Sequence, residues 1–333
     1  MNGRVPLVLL LGCVLLGACG NPTATSSAVP GSPSAPASPN GSPQVPVPTP
    51  TPPTCRLPIA SGDAPIDGVA TDGAAGHGGF LDLPAGTFSP DPASLGSYDR
   101  AISRWLPVAR QWVVPEGVRY AWGDRTASVV HVIDAASGTD HPVTVPGPST
   151  VVDFETEGVY VARAVPSSGA PQQGLGFIDG GTSAYRQITA DGRWLAVGGG
   201  FAYGQDLDPA VPGPAGGPPG AANRVRKLDL RTGAVTTVAS YTSASVQVLG
   251  VYGSEPLIAA TAGAIYTVFV GASTIVFTGS TGDADPGGPV VVDGATVWFS
   301  SQNAAVWRWT GTGRATRAAD VPLRSLQVAG ACR

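Results

Sequence analysis

Lysine is almost absent: Lys227 is the only one in 333 residues. Glutamate occurs four times, at Glu116, Glu155, Glu157 and Glu255, and charged residues make up only 13% of the chain. No basic block appears anywhere, and the net charge is −4. Removal of the leader described below takes away Arg4 and no acid, leaving 18 basic and 23 acidic residues, a net of −5. Nucleic acid is excluded as a partner on that ground, because phosphate binding rests on clustered Lys and Arg. Helix-forming composition is missing too. The chain carries 46 Gly and 33 Pro, both unfavourable inside helices, while hydrophobic residues still reach 43%. That balance points to many short strands joined by many turns.

Long apolar runs are lacking except for one, Val5–Leu16, preceded by the single charge of Arg4. This is a secretory signal, too short for a stable membrane span. It ends Leu16-Gly17-Ala18-Cys19, which resembles the lipobox of bacterial lipoproteins, with Cys19 as the lipidated residue. The plainer alternative is ordinary cleavage after Ala18 with Cys19 left as a free thiol. Residues 1–18 thus read as a signal peptide and 19–54 as a lipidated cysteine and stalk. The stalk has no charged and no aromatic residue between Asn21 and Thr54. It cannot bury enough apolar surface to offset its ordering entropy. In an extended proline-rich conformation it would reach on the order of 100 Å. The expected address is the outer face of the cell membrane, with contact to the membrane through the lipid alone.

Residues 55–333 repeat a hairpin best formed in Asn223–Ser240. Val225, Lys227 and Asp229 alternate with Arg226, Leu228 and Leu230, the period of a strand. Arg231-Thr232-Gly233 turns the chain, and Ala234–Val238 returns. Weaker copies centre on Gly79–Phe88, Val130–Val145, Gly176–Thr189, Ile265–Thr278 and Val306–Ala318, about 40 to 50 residues apart. Each is preceded by a more apolar pair, such as Val151–Phe154 with Val159–Ala162, as expected of strands covered on both faces. The spacing predicts an all-β fold, a β-propeller of six four-stranded blades, with five or seven not excluded. Asp82, Asp134 and Asp229, each followed four residues later by Gly, are expected to accept backbone N–H groups in the turns.

The first blade lacks its own inner strand. Arg324–Ala329 can supply it, closing the ring by pairing the two ends of the domain. Cys55 and Cys332 then fall in adjacent strands and predict a disulfide across nearly the whole domain. The chain-entropy model gives an upper value of roughly 5 kcal/mol for so large a loop.

The sequence resembles the TolB-type, WD40-like β-propeller family. The resemblance is carried by Val114-Pro115-Glu116-Gly117-Val118-Arg119-Tyr120 and by Ala190-Asp191-Gly192-Arg193-Trp194-Leu195-Ala196. Val132–Gly138 and Lys227–Gly233 match its third-strand signature. Glu116 stands where the family has Asp, and no Pro precedes Asp191. The resemblance implies a binding platform, periplasmic or surface-exposed, and no catalytic residue.

Catalytic constellations are also missing. His77, His131 and His141 are the only histidines, and although His131 and His141 begin partner strands, no third zinc ligand is near them in sequence. No nucleophile elbow appears. Asp206 with Asp208, and Asp283 with Asp285, lack the full spacing of a calcium loop. No metal and no cofactor is expected. Loops are the more informative feature. Val165–Gly174 and Asp206–Asn223 interrupt the repeat on the face that also carries Tyr241–Ser243 and Thr281–Gly288, and binding tends to reside on such loops. The candidate binding-face residues are therefore Gln172, Asp206, Asp208, Tyr241, Asp283 and Asp285. The expectation is a monomeric, lipid-anchored, non-catalytic binding or scaffolding module for an envelope protein or glycan. The alternative is a secreted propeller hydrolase or lyase with its site at the central channel.

Overall fold

In a computed structural model, the described residues are 53–61, 78–115, 117–124, 126–163, 173–212, 221–280, 290–301, 305–321 and 326–333. Residues Thr51–Arg333 form one unit. The leader, Cys19, and the stalk up to residue 52 lie outside the described residues.

Among the described residues the strands fall into seven antiparallel sheets: six are blades, five of them four-stranded and one three-stranded, and the seventh is a two-stranded hairpin. Blade 1 contains β1 (Cys55–Ser61), β2 (Gly78–Leu83) and β3 (Thr87–Asp91). A hairpin follows, β4 (Ser97–Asp99) with β5 (Arg104–Leu106), then a single 3-10 turn at Arg110–Trp112. Blade 2 holds β6 (Arg119–Gly123), β7 (Val129–Asp134) and β8 (Asp140–Thr144). Blade 3 holds β9 (Ser149–Glu155), β10 (Gly158–Arg163), β11 (Gln173–Asp179) and β12 (Tyr185–Thr189). Blade 4 holds β13 (Trp194–Gly198), β14 (Phe201–Asp206), β15 (Arg224–Asp229) and β16 (Val235–Ser240). Blade 5 is β17 (Ser245–Tyr252), β18 (Glu255–Ala262), β19 (Ile265–Val270) and β20 (Thr274–Ser280). Blade 6 is β21 (Val291–Asp293), β22 (Thr296–Ser300), β23 (Ala305–Trp309) and β24 (Thr316–Asp320). The last strand, β25 (Leu326–Val328), returns to blade 1 as its inner strand.

Closure follows the expected route. Ile59 pairs with Val328, Ala60 with Gln327 and Ser61 with Leu326. Beyond the strands, Arg56 and Arg333 exchange both backbone hydrogen bonds, at 2.9 and 3.1 Å. The Cys55–Cys332 disulfide joins these two segments, with Cα atoms 5.7 Å apart and 277 residues of chain between them. The pairing completes blade 1 as a four-stranded sheet in the order β25-β1-β2-β3, built from both ends of the domain.

Apolar side chains fill the seams between blades, and strand alternation decides which seam each enters. On β10, Val159 and Val161 point into the seam with blade 2, against Ala121, Val130 and Val143. Their neighbours Tyr160 and Ala162 point the other way, against Trp194, Ala202 and Leu228 of blade 4. A strand used on both faces has to be apolar throughout, which is why the inner strands read as continuous runs. The other seams repeat the scheme. Tyr203 and Val225 meet Val246 and Ile258 between blades 4 and 5. Tyr266 and Phe277 meet Phe299 and Trp309 between blades 5 and 6, and Leu57 and Leu81 meet Trp298 and Val306 between blades 6 and 1.

Three local expectations change. The inner strand of blade 2 shrinks to an isolated bridge between Val113 and Tyr120. The 3-10 turn at Arg110–Trp112 occupies the residues just before that bridge, so a longer strand does not form there. The β4–β5 hairpin was not expected; it stands beside blade 1, where Tyr98 and Trp105 pack on Phe80. Asp134 and Asp229 do shape their turns, each accepting two backbone N–H groups through Oδ1. Asp82 does not: its carboxylate pairs with Arg56 at 2.8 Å, and only its backbone carbonyl accepts from Gly86.

Candidate functional site

The interrupted repeat of blade 4 places a polar network on the end of the blade that carries the long β14–β15 connection. Asp206 closes β14 and sits opposite Arg224, the first residue of β15, in register. Arg224 grips both oxygens of Asp206, Nε to Oδ1 at 2.6 Å and Nη2 to Oδ2 at 2.8 Å. This two-point fork is the strong form of the pair, and its hydrogen bond to Asp206 holds the Arg224 pKa above the ordinary arginine value. Arg226, two residues along the same face, reaches Oδ2 of Asp206 through Nη1 at 3.2 Å.

Asp208 organises the chain just beyond the strand. It accepts the N–H of Ala210 at 3.0 Å and the hydroxyl of Ser240 at 2.9 Å. Those bonds, the backbone one first, hold its carboxyl below the usual aspartate range. Asn223 is fully buried beneath it. Its side-chain oxygen accepts from the Asp208 N–H at 2.6 Å, and its amide nitrogen donates to the Val211 carbonyl at 3.2 Å. Asn223 also receives the Tyr241 N–H on its backbone carbonyl at 2.8 Å. The Tyr241 ring lies 5.7 Å from that of Phe269, centroid to centroid. Its hydroxyl is buried with no hydrogen-bond partner among the described residues. Burial pushes its pKa up.

The structure thus brings Asp206, Asp208 and Tyr241 together around Asn223. Gln172, Asp283 and Asp285 lie outside the described residues. Asn223, Arg224 and Arg226 were not among the residues expected at this site. Their signal was available: two arginines at alternate positions, opening a strand directly after an acidic loop, are placed to meet those acids.

The two described histidines do not converge on one site. His77 lies outside the described residues. His131 pairs with Pro142, and His141 pairs with Val132, so the two histidines occupy adjacent register positions and project to opposite faces. His131 stacks on Trp122, 4.1 Å between centroids and 8° from parallel, and its Nδ1 is 2.7 Å from Asp140 Oδ2. Among the described residues, no group of three or more His, Cys, Asp or Glu side chains is placed to hold a metal ion.

A second titratable feature escaped the sequence reading. Asp153 sits within the apolar inner strand β9, and the interruption of Val151–Phe154 by an acid was its visible sign. Burial, reinforced by Glu155, raises its pKa to about 8. Its Oδ1 accepts the Phe154 N–H at 3.0 Å and its Oδ2 the Val197 N–H of blade 4 at 3.1 Å. Gln205 makes the same kind of link one seam on, accepting the Val248 N–H at 2.8 Å. Both side chains therefore satisfy an inner-strand N–H of the next blade.

No family model matches the chain, and no curated protein matches it. Solved structures do. One is Hsv2 of Kluyvelomyces marxianus, at 14% identity and TM-score 0.39, covering 59% of this chain and 57% of that one. An oligogalacturonate lyase in complex with manganese matches at 10% identity and TM-score 0.45, covering 73% and 70% of the two chains. The mitotic checkpoint complex matches at 12% identity and TM-score 0.37, covering 60% and 59%. The likeness is one of fold, the β-propeller, and extends no further.

Proposed function

We propose that this chain is a TolB-type, WD40-like propeller exported and held at the outer face of the membrane through lipidated Cys19. In this reading it serves as a non-catalytic binding or scaffolding module for an envelope protein or glycan. One observation carries it. Among the described residues, several polar side chains that could have done chemistry are engaged in building turns and seams, while Asp206, Asp208, Arg224 and Arg226 form a polar network where the blade 4 repeat is interrupted. Asp134, Asp179 and Asp229 each hold a turn through two backbone N–H groups. His131 is tied to Asp140 and Trp122.

The rival reading, a hydrolase or lyase, draws on Asp153. A carboxyl with a pKa of about 8 remains largely protonated at neutral pH and is suited to general-acid work. Its two oxygens already receive backbone N–H groups, which supports a role in the seam. The deciding experiment uses the mature chain with Cys19→Ser. The variant should leave the membrane fraction, and the wild type should incorporate labelled fatty acid. The soluble variant should capture an envelope protein or a glycan from an array and turn over none of a panel of glycosides and lactones. Turnover abolished by Asp153→Asn would establish the enzyme instead.

A further inference from the structure

A cavity of about 320 Å³ opens beside the blade 4 network, in the seam with blade 3. Trp194, Gly204 and Arg226 lie side by side across β13, β14 and β15 in register. Position 204 has to be Gly, because a Cβ there would come within 2.2 Å of the Arg193 carbonyl oxygen, so the Arg193–Trp194 segment packs directly on the β14 backbone and forms one wall of the cavity.

The charges around this cavity are unevenly served. Arg224 takes Asp206 in a two-point fork, which leaves Arg226 with a share of one oxygen at 3.2 Å. That side chain is only 29% exposed, and its Nε is buried with no hydrogen-bond partner. Arg226 thus shares its one carboxylate with a second arginine and keeps hydrogen-bonding capacity that Asp206 does not use. At the rim, Arg193 and Asp191 are both exposed and oppose each other in sign. The remaining wall is mixed: Thr189, Gln205 and Asp206 are polar, and Trp194 and Val235, the latter 41% exposed, supply its apolar part.

We propose that this cavity binds a small organic carboxylate, with its charged end on Arg226 and a short apolar body against Trp194 and Val235. The size suits one such molecule, at the low end of ligand sites. The inference goes beyond the scaffolding reading and does not require a protein or glycan partner.

The test uses the mature chain carrying Cys19→Ser, with benzoate and butyrate as probes and benzamide and butyramide as neutral isosteres. Binding is read by calorimetry and ligand-observed NMR. Both acids should bind, and both amides should bind about tenfold more weakly or less. Arg226→Gln should lower acid affinity by about tenfold or more, and Arg226→Lys should recover part of it. Val235→Asp, on an exposed outer strand, should weaken the acids through like charge and leave the amides unchanged. Equal affinity for acids and amides overturns the proposal, as does no binding up to about 10 mM. If Arg226→Gln does not fold, unchanged acid affinity in Val235→Asp overturns it equally.

Discussion

The seam between blades 3 and 4 and the gap beside blade 1 solve one packing problem in two ways. In the first, two complete sheets meet directly. Tyr160, Leu175 and Phe177 interdigitate with Trp194, Ala202 and Leu228, and Asp153 ties the inner strands together. In the second, blade 2 has only Val113 in the place of an inner strand, and the β4–β5 hairpin provides the packing. Tyr98 and Trp105 pack on Phe80, with centroids 5.0 and 5.6 Å away. The other side of that segment, at Ile102 and Leu106, joins the core of blade 2. Arg333 lies over Phe80 and Tyr98, 4.0 and 4.9 Å from their centroids, and bonds the Tyr98 hydroxyl. The difference shows that a propeller needs a filled seam, and that any apolar element of the right thickness can fill it.

The comparison can be broken first with tryptophans. Trp105→Ala and Trp194→Ala each remove a buried indole that donates one hydrogen bond, to Asp91 and to the Asp191 carbonyl respectively. Each should cost about 3–5 kcal/mol. If the hairpin is a local plug, Trp105→Ala should raise amide exchange mainly within Ser97–Leu106, whereas Trp194→Ala should lower the unfolding temperature of the whole domain. Matching global losses with no local exchange would show that both seams cooperate alike.

Next in size is the closure beside the plugged gap. Replacing Cys55 and Cys332 by Ser should cost about 2–4 kcal/mol in denaturant unfolding under oxidising conditions. The same variant and wild type should converge once reductant is added. A persistent gap under reduction would mean that the substitutions damage packing rather than remove a cross-link.

Asp153 gives a smaller, pH-dependent effect in the directly packed seam. Its folded pKa of about 8 lies above the ordinary value of 3.8, so the folded chain binds the extra proton. The stabilisation is complete below about pH 4 and is lost as pH rises through about 8. Asp153→Asn should therefore flatten the decline of unfolding temperature between about pH 5 and 8, and its advantage over wild type should be greatest at the alkaline end. An unchanged slope would place that carboxyl in contact with bulk water.

The smallest effect separates two aspartates with the same spacing to a glycine. Asp229→Ala removes two backbone hydrogen bonds in a turn and should lower the unfolding temperature by more than Asp82→Ala does. Asp82→Ala removes only an exposed ion pair with Arg56 and should cost under about 1 kcal/mol. Equal costs would mean that the turn bonds contribute nothing beyond surface charge.

The amino-acid sequence by itself determined most of the strands and turns and the closure by the C-terminal segment, and it favoured six blades over five or seven; the sheets decided the count. The strands, turns and closure follow from local rules. Alternation fixes which face a residue occupies, Gly233 supplies a φ of 75° at a turn, and two cysteines bracketing a closed array have few other places to meet. Asp206, Asp208 and Tyr241 were legible as members of one loop-bearing face. Their arginine partners were not singled out, because pairing across β14 and β15 depends on register over a long connection. Tertiary structure alone decided the hairpin beside blade 1, the raised pKa of Asp153 and the cavity beside Arg226. Each depends on what the fold brings within a few ångströms: Phe80 for Trp105, Val197 for Asp153, Arg226 beside Trp194 for the cavity. Those partners are 25, 44 and 32 residues apart in sequence, and no local pattern encodes a meeting of that kind.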